Sequence, residues 1–364
     1  MIYLDYQATT PLAPEARDAM MQWLDGPDGL GFGNPHSAHR MGRQAAAAVD
    51  LARDRVAKLL PSGGKVIFTS GATEAINTAI KGTSGDVLTC ASEHAAVLDC
   101  AAPVEASGRA FDIADVREDG QASLDNLRAA ASKKTGLIAA MVVNNEIGVI
   151  NPIANIVPIA RENGALLLTD AVQAFGRIVI PGGVDFIAVS AHKIHGPKGI
   201  GALWVRDGVD VAPLLHGGGQ ESDLRSGTLS PALCAGFGAA AEVAAERMDE
   251  DAEHIQALWN RAREILGKWT INGSETARWQ GNLNVRRDGL DVSRLMSDVR
   301  DVCFSAGSAC ASGSGRTSHV LRALGLSDAE AKSSIRLGFG RYTEMEELEE
   351  ALGKIDAAAE AQGL

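Results

Sequence analysis

From about residue 65 the chain alternates short apolar runs with segments of helical periodicity. The apolar runs include KVIFT, DVLTC, LIAAMVV, ALLL and DFIAV. The segments SGATEAINTAIKG, SEHAAVLDCAAP and ANIVPIARENG are each helical in pattern. This alternation is typical of βα units around a mostly parallel sheet. Because LIAAMVV and ALLL are apolar at every position, both faces of those strands should be covered. The pattern predicts an α/β protein.

The sequence pattern changes near residue 230, where an alanine-rich segment of helical periodicity begins. We expect this helix to lead out of the sheet domain and a smaller α+β domain to begin near residue 246. Within the smaller domain, GNLNVRR and SSIRLGFG have the pattern of strands, and the acidic segment from Glu344 to the end has the pattern of a helix. A chain of 364 residues is long enough for both domains.

Charge and cysteine content exclude several classes of function. The net charge of -12 argues against direct binding to nucleic acid or anionic lipid. The N-terminus has no pattern of a signal peptide, and no apolar run reaches membrane-spanning length. The five cysteines form no C-x-x-C pair and have no histidine at zinc spacing, so neither disulfides nor a metal site is expected. We predict a cytoplasmic protein with reduced thiols and no membrane partner.

Polar side chains follow two of the predicted strands. Asp170 lies just beyond ALLL, and Ser190, His192 and Lys193 lie just beyond DFIAV. The carboxyl ends of strands in open α/β sheets are where ligands bind. A lysine near an acid is often only an ion pair. A deprotonated lysine, however, also forms Schiff bases with pyridoxal phosphate (PLP), whose pyridinium nitrogen an aspartate commonly binds.

Two other segments have both a structural and a functional interpretation. In TSGATEAIN a helix should begin near Ala72 or Thr73, and its N-terminus is either an ordinary cap or a phosphate site. His94 follows another predicted strand, where it either caps the next helix or stacks on a planar cofactor and transfers protons.

One cysteine lies in unusual surroundings. Cys310 is in SAGSACASGSG, which otherwise contains only serine, alanine and glycine and should be loose. A free cysteine is usually an incidental small buried residue. The alternative is a nucleophile on a flexible tether.

These motifs together resemble the cysteine desulfurases of the NifS/IscS type. The resemblance rests on SGATEAIN, SEHAAVLD, NNEIGVI, DAVQAFG, SAHKIHGPKGIGALWV, HGGGQESDLRSGTL, SAGSACASGSG and SSIRLGFGRYT, in this order. It implies PLP fold type I of the class V aminotransferase type, with a mostly parallel mixed sheet between helices. The implied division is a large PLP-binding domain over residues 14–245 and a small domain of residues 1–13 and 246–364, in a homodimer.

The resemblance also implies a role for each matching residue. Lys193 would bind PLP covalently, with Asp170 on the pyridinium nitrogen, Gln173 donating to the ring hydroxyl and His94 stacked on the ring. The phosphate cradle would contain Ala72, Thr73, Ser190 and His192, and Thr228 would reach the phosphate in the other subunit. Asn145 and Arg336 would hold the substrate carboxylate, a task that suits a guanidinium fork.

The same resemblance gives Cys310 its role. PLP is an electron sink and accepts no sulfur, so a second nucleophile must take the sulfur of L-cysteine. Cys310 would become a persulfide, L-alanine would be released, and a sulfur carrier or iron–sulfur scaffold protein would accept the sulfur. His94 is the residue expected to help remove the thiol proton.

Three features depart from the family pattern, and two other functions stay open. The C-terminus is short, which puts contact with an iron–sulfur scaffold in doubt. Gly338 stands where serine is usual, and Arg316 and Thr317 replace an acid–proline step. Selenocysteine lyase, or another class V reaction, is the alternative activity, and a catalytically idle scaffold subunit is a remote one. The sequence does not identify the sulfur acceptor or its pathway.

Overall fold

A seven-stranded mixed sheet forms the centre of this computed structural model, which describes residues 1–29, 31–307 and 317–364. In chain order the strands are β1 Ile2–Tyr3, β2 Gly64–Thr69, β3 Asp86–Cys90, β4 Phe111–Ala114, β5 Thr135–Ala139, β6 Leu166–Asp170, β7 Phe186–Ser190, β8 Gly201–Arg206, β9 Thr270–Ile271, β10 Asn282–Arg286, β11 Val302–Cys303, β12 Ser305–Ala306 and β13 Ser334–Gly338. The central sheet has the order β2-β8-β7-β6-β5-β3-β4.

Helices cover this sheet and continue into the C-terminal part. They are α1 Pro14–Met21, α2 Arg40–Ala57, α3 Ala72–Gly82, α4 Ala95–Leu98, α5 Ala101–Ala106, α6 Leu124–Ala130, α7 Ile153–Asn163, α8 Pro231–Ile265, α9 Val292–Asp298, α10 His319–Ala323, α11 Asp328–Lys332 and α12 Met345–Glu360. Every residue of β7 is buried, as is all of β6 beyond its first residue. The prediction of a sheet covered on both faces is confirmed.

The pairing of the strands confirms a mostly parallel mixed sheet. Strands β4, β3, β5, β6 and β7 run parallel, and only β8 and β2 are antiparallel to their neighbours. The carboxyl ends of β6 and β7 therefore lie side by side. This places Asp170, the last residue of β6, one strand away from Ser190, the last residue of β7.

A second, four-stranded sheet contains the C-terminal strands. Its order is β12-β13-β10-β9, all antiparallel, and β1 pairs separately with β11. The long helix α8 packs against α1 and α2 at one end and against α12 further along. The predicted boundary at residue 246 lies inside this continuous helix.

Some local predictions were less accurate. The segment expected to be one helix after β3 is two, α4 and α5, because the chain tightens into a turn in which the Cys100 N–H donates to the Val97 carbonyl.

Among the described residues no helix is long and apolar enough to cross a membrane. The described part also contains no cluster of metal-ligating side chains, and its four cysteines are free thiols.

Candidate functional site

A pocket of about 510 Å³ opens at the carboxyl ends of β6 and β7. Ten of the twelve predicted site residues line it: Ala72, Thr73, His94, Asn145, Asp170, Gln173, Ser190, His192, Lys193 and Arg336. Its volume is in the range of small-molecule and cofactor sites. Residues distant in the sequence thus meet in one cavity.

The N-terminus of α3 forms one wall of the pocket. This helix begins at Ala72 and has no capping side chain, so its first N–H groups and the positive end of its dipole face the pocket. A Cβ added at Gly71 would meet only the Ser190 hydroxyl, at 3.8 Å, so the space between the two residues is open. An uncapped helix end beside an open cradle fits a phosphate group.

Asp170 is buried at the end of β6, with 8% of its surface exposed. Its Oδ1 accepts a hydrogen bond from the Val172 N–H at 2.9 Å. Burial raises the pKa of Asp170, while His94 and Lys193 oppose that rise. A buried carboxylate that lines a pocket suits a ligand carrying an N–H⁺ group, such as a pyridinium.

His94 is both a helix cap and a wall of the pocket. Its Nδ1 accepts a hydrogen bond from the Ala96 N–H at 3.0 Å, which caps α4. The neutral ring must therefore carry its proton on Nε2. The structural and the functional interpretation of His94 are compatible, since the capped ring still lines the pocket.

Lys193 enters the pocket from the short 3-10 turn Ala191–Lys193 that follows β7. Its Nζ donates to the main-chain carbonyls of Gln7 and Ala8, the latter at 2.9 Å. Neighbouring His192 bonds Thr9 through Nδ1 at 3.2 Å. Burial, together with the charges of Lys193, Lys198 and Arg177, lowers the pKa of His192 to about 4, so its ring is neutral at pH 7.

Arg336 lies on β13 at the opposite side of the pocket and is only 1% exposed. Its Nη2 donates to Asp5 Oδ1 at 2.7 Å and its Nη1 to the Asn145 carbonyl at 3.1 Å. Its Nε has no hydrogen-bond partner in the part of the chain that the structure describes. A buried guanidinium that lines a pocket suits a carboxylate ligand.

The remaining two predicted site residues are Thr228 and Cys310. Thr228 is exposed and does not line the pocket. Its expected role concerns another subunit, which a single chain does not test. Cys310 lies outside the described residues.

Sequence reasoning missed some residues that line the pocket or bond to its lining residues. The carbonyls of Gln7 and Ala8 contact Lys193 although they are far away in the sequence, and no local pattern indicates that. Arg177 donates to Gln173 Oε1 at 2.6 Å and to the Lys193 carbonyl at 2.7 Å. A signal for Arg177 existed, since QAFGR places it four residues after Gln173.

Comparison with known proteins places this site in a family. The family model described as "Aminotransferase class-V" matches residues 2–351. A curated relative from Rickettsia africae (strain ESF-5), cysteine desulfurase IscS, is 41% identical over 97% of this chain and 90% of the relative.

Solved structures give the same result. A NifS-like protein from Rickettsia africae ESF-5 superposes with a TM-score of 0.89 at 29% identity, covering 99% of each chain. A structure described as SspA in complex with cysteine has a TM-score of 0.82 at 34% identity and covers 94% of this chain and all of the other. The predicted family and fold class are confirmed.

Proposed function

The chain belongs to the cysteine desulfurases of the class V aminotransferase family, and we propose that it removes the sulfur of L-cysteine with the pocket residues described above. The observation that carries the proposal is the convergence of Asp170, Lys193 and Arg336 on one pocket. These three side chains supply a pyridinium partner, an amine and a carboxylate ligand. The SspA complex, a relative of similar fold, contains cysteine, which supports cysteine as the substrate.

The enzyme is PLP-dependent, as its family is, and the residues present fit that cofactor. The uncapped α3 N-terminus with Thr73, Ser190 and His192 would hold the phosphate, and Asp170 the ring nitrogen. Gln173 would donate to the ring hydroxyl and His94 would cover the ring face. When bound, PLP withdraws electrons from the substrate and makes its Cα proton removable.

Lys193 is the residue proposed to move that proton. Its Nζ lies against two main-chain carbonyls, which hold the amine at the pocket wall when it is not bonded to the cofactor. From there the amine can take a proton from Cα and return one to the product. Asp170, which is buried, would keep the ring nitrogen protonated when PLP is bound.

Arg336 is proposed to bind the substrate carboxylate. Asp5 and the Asn145 carbonyl fix Nη2 and Nη1 of this side chain, and because Arg336 lines the pocket its positive charge would attract a carboxylate there. Asn145 lines the same part of the pocket and would contact the same carboxylate. Anchoring this end of L-cysteine orients Cα toward Lys193.

Cys310 is proposed to take the sulfur. Its thiolate attacks the substrate sulfur, a new S–S bond forms, and the C–S bond breaks with its electron pair staying on carbon, which gains a proton as L-alanine leaves. Cys310 then carries a persulfide. In the tautomer described here His94 Nε2 holds a proton, so His94 accepts the thiol proton only after donating that one.

We further propose a cytoplasmic homodimer that passes the persulfide sulfur to an acceptor protein. Thr228, exposed in the single chain, would reach the phosphate of the partner subunit's cofactor. The acceptor would be a sulfur carrier or an iron–sulfur scaffold protein.

The assignment of Lys193 is tested by the variant Lys193→Ala after reconstitution with PLP. The wild type should give the absorbance of lysine-bound cofactor and release alanine from cysteine, whereas the variant should bind PLP reversibly and release no alanine. Lys198→Ala is the matched control, since Lys198 lines the same pocket and has no assigned role. A Lys193→Ala protein that keeps the lysine-bound absorbance would overturn the assignment.

A further inference from the structure

Arg177 contacts two proposed cofactor residues at once. Its Nη1 donates to Gln173 Oε1 at 2.6 Å, and its Nη2 donates to the Lys193 carbonyl at 2.7 Å. It lies behind the pocket wall and lines a separate cavity of about 30 Å³ together with Lys193, His195, Asp251 and Arg341. One guanidinium therefore connects Gln173 with the main chain of Lys193.

This guanidinium has no acidic partner. No carboxylate of the described residues lies within ion-pair distance of Arg177, because Asp251, the acid of that cavity, is bound to Arg341 at 2.7 Å. The Arg177 guanidinium lies 4.3 Å from the centre of the Trp279 ring. Burial, and secondarily the charge of Arg341, lowers the pKa of Arg177 to about 9, so it remains charged at neutral pH. A desolvated cation without an anion destabilises the folded state, so its presence here indicates a functional role.

The contact with Arg177 determines which way the Gln173 amide points. Its Oε1 must face Arg177, since a guanidinium only donates, and its Nε2 must face the Gln7 carbonyl, 3.1 Å away, since a carbonyl only accepts. The amide cannot be reversed without losing both hydrogen bonds. The second N–H of Nε2 remains for a ligand in the pocket.

We propose that Arg177 is a positioning residue for the cofactor: it holds and polarises the Gln173 amide so that Nε2 donates strongly to the negatively charged ring oxygen of PLP. The inference rests on the proposed function, since it takes Gln173 as the donor to that oxygen. Hydrogen bonds in a chain strengthen one another, and a cation at one end transmits its charge through the amide. The ring oxygen thereby supplies the anion that Arg177 lacks.

The hydrogen bond to the Lys193 carbonyl is the second part of the role. It fixes the main chain that carries the reacting amine relative to the amide that binds the ring. Both parts are lost together when the guanidinium is removed.

The test compares Arg177→Met with Arg278→Met in the PLP-loaded enzyme. Arg278 is a matched control because desolvation lowers the pKa of its guanidinium too, and because it lies 5.4 Å from the Trp259 ring and donates to three main-chain carbonyls, yet it does not line the pocket. Two quantities are measured: the pH midpoint of the absorbance change of the lysine-bound cofactor, and the dissociation constant of PLP.

We expect Arg177→Met to raise the pH midpoint by about one unit, because the Gln173 amide, no longer polarised by a cation, stabilises the negative ring oxygen less and protonation of the cofactor's nitrogen becomes easier. The dissociation constant of PLP should rise about tenfold, the usual scale of a lost charge-assisted hydrogen bond. Arg278→Met should change neither quantity. In a Gln173→Leu background, Arg177→Met should no longer move the midpoint.

An unchanged midpoint in Arg177→Met, or an equal shift in Arg278→Met, would contradict the proposal. If Arg177→Met does not fold, Arg177→Lys replaces it, since lysine keeps the charge but cannot bind both acceptors. It should weaken PLP binding, and PLP binding as tight as in the wild type would contradict the positioning role. If the wild type gives no absorbance of lysine-bound cofactor, the proposed function itself is contradicted. If the wild type gives that absorbance and Arg177→Met leaves its pH midpoint unchanged, only the role of Arg177 is contradicted.

Discussion

Arg336 Nη2 donates to Asp5 Oδ1 at 2.7 Å, and the Ser305 hydroxyl donates to the same oxygen at 3.0 Å. The ion pair joins strand β13 to the N-terminal segment and is the only ion pair of Arg336 among the described residues. Because the arginine is buried, its orientation depends on this carboxylate. Asp5 is therefore a positioning residue for the proposed carboxylate ligand.

Two substitutions of Asp5 distinguish the effect of its hydrogen bond to Arg336 from the effect of its negative charge. Asp5→Asn keeps an acceptor for Arg336 but removes the counter-charge, so it should lower the free energy of unfolding by about 3 kcal/mol. Asp5→Ala also loses the acceptor and should raise the KM for L-cysteine more than Asp5→Asn does, with PLP affinity unchanged. Steady-state kinetics and a PLP titration check this. An unchanged KM in Asp5→Ala would show that Arg336 needs no such support.

Gly338 and Gln7 are predicted to be coupled. A Cβ at residue 338 would lie 1.7 Å from Gln7 Oε1, so Gly338→Ser must displace Gln7 and break its hydrogen bond to the Gly281 carbonyl. Gly338→Ser should lower the free energy of unfolding by about 1–3 kcal/mol. Gln7→Ser in the same chain should restore part of the loss, because the added Cβ would still lie 2.9 Å from the Tyr6 main-chain nitrogen. Denaturant unfolding of both single variants and the double variant measures the coupling, and simple additivity would contradict it.

Glu93 should make stability pH-dependent on the alkaline side. It is fully buried, and burial raises its pKa well above the ordinary value, with the charge of Asp170 adding to the rise. The folded state then holds a proton that the unfolded state releases above its ordinary pKa. Glu93 therefore stabilises the fold fully below that pH, and the contribution is lost as pH rises through the folded pKa.

Glu93→Gln removes this titration. Relative to the wild type, the variant should gain up to about 1.4 kcal/mol of unfolding free energy for each pH unit above the ordinary pKa of a glutamate. Unfolding measured from pH 5 to pH 8.5 gives the slope. Ser92→Ala is the control, since it removes a neighbouring buried hydroxyl that does not titrate in this range. Parallel profiles of wild type and Glu93→Gln would refute the assignment.

The sequence predicts the central sheet well and its long-range contacts poorly. A short apolar run such as DVLTC is stable mainly as a strand that is buried in the sheet, and β3 has the bounds of this run. Asp170 and Lys193 are predictable as neighbours because Asp170 ends β6 and Lys193 lies three residues beyond the end of the adjacent strand β7. The Gln7 and Ala8 carbonyls contact Lys193 only because the N-terminal segment crosses from the second sheet. Since these contacts are made by main-chain atoms, the identities of residues 7 and 8 do not reveal them.

The central claim, sulfur transfer to Cys310, is tested most directly by mixing the PLP-loaded enzyme with L-cysteine in a single turnover, for the wild type and Cys310→Ser. Alanine and intact mass are followed together. The wild type should release alanine and gain about the mass of one sulfur atom at Cys310, while the variant keeps its PLP absorbance and does neither. Undiminished alanine release by Cys310→Ser would contradict the account.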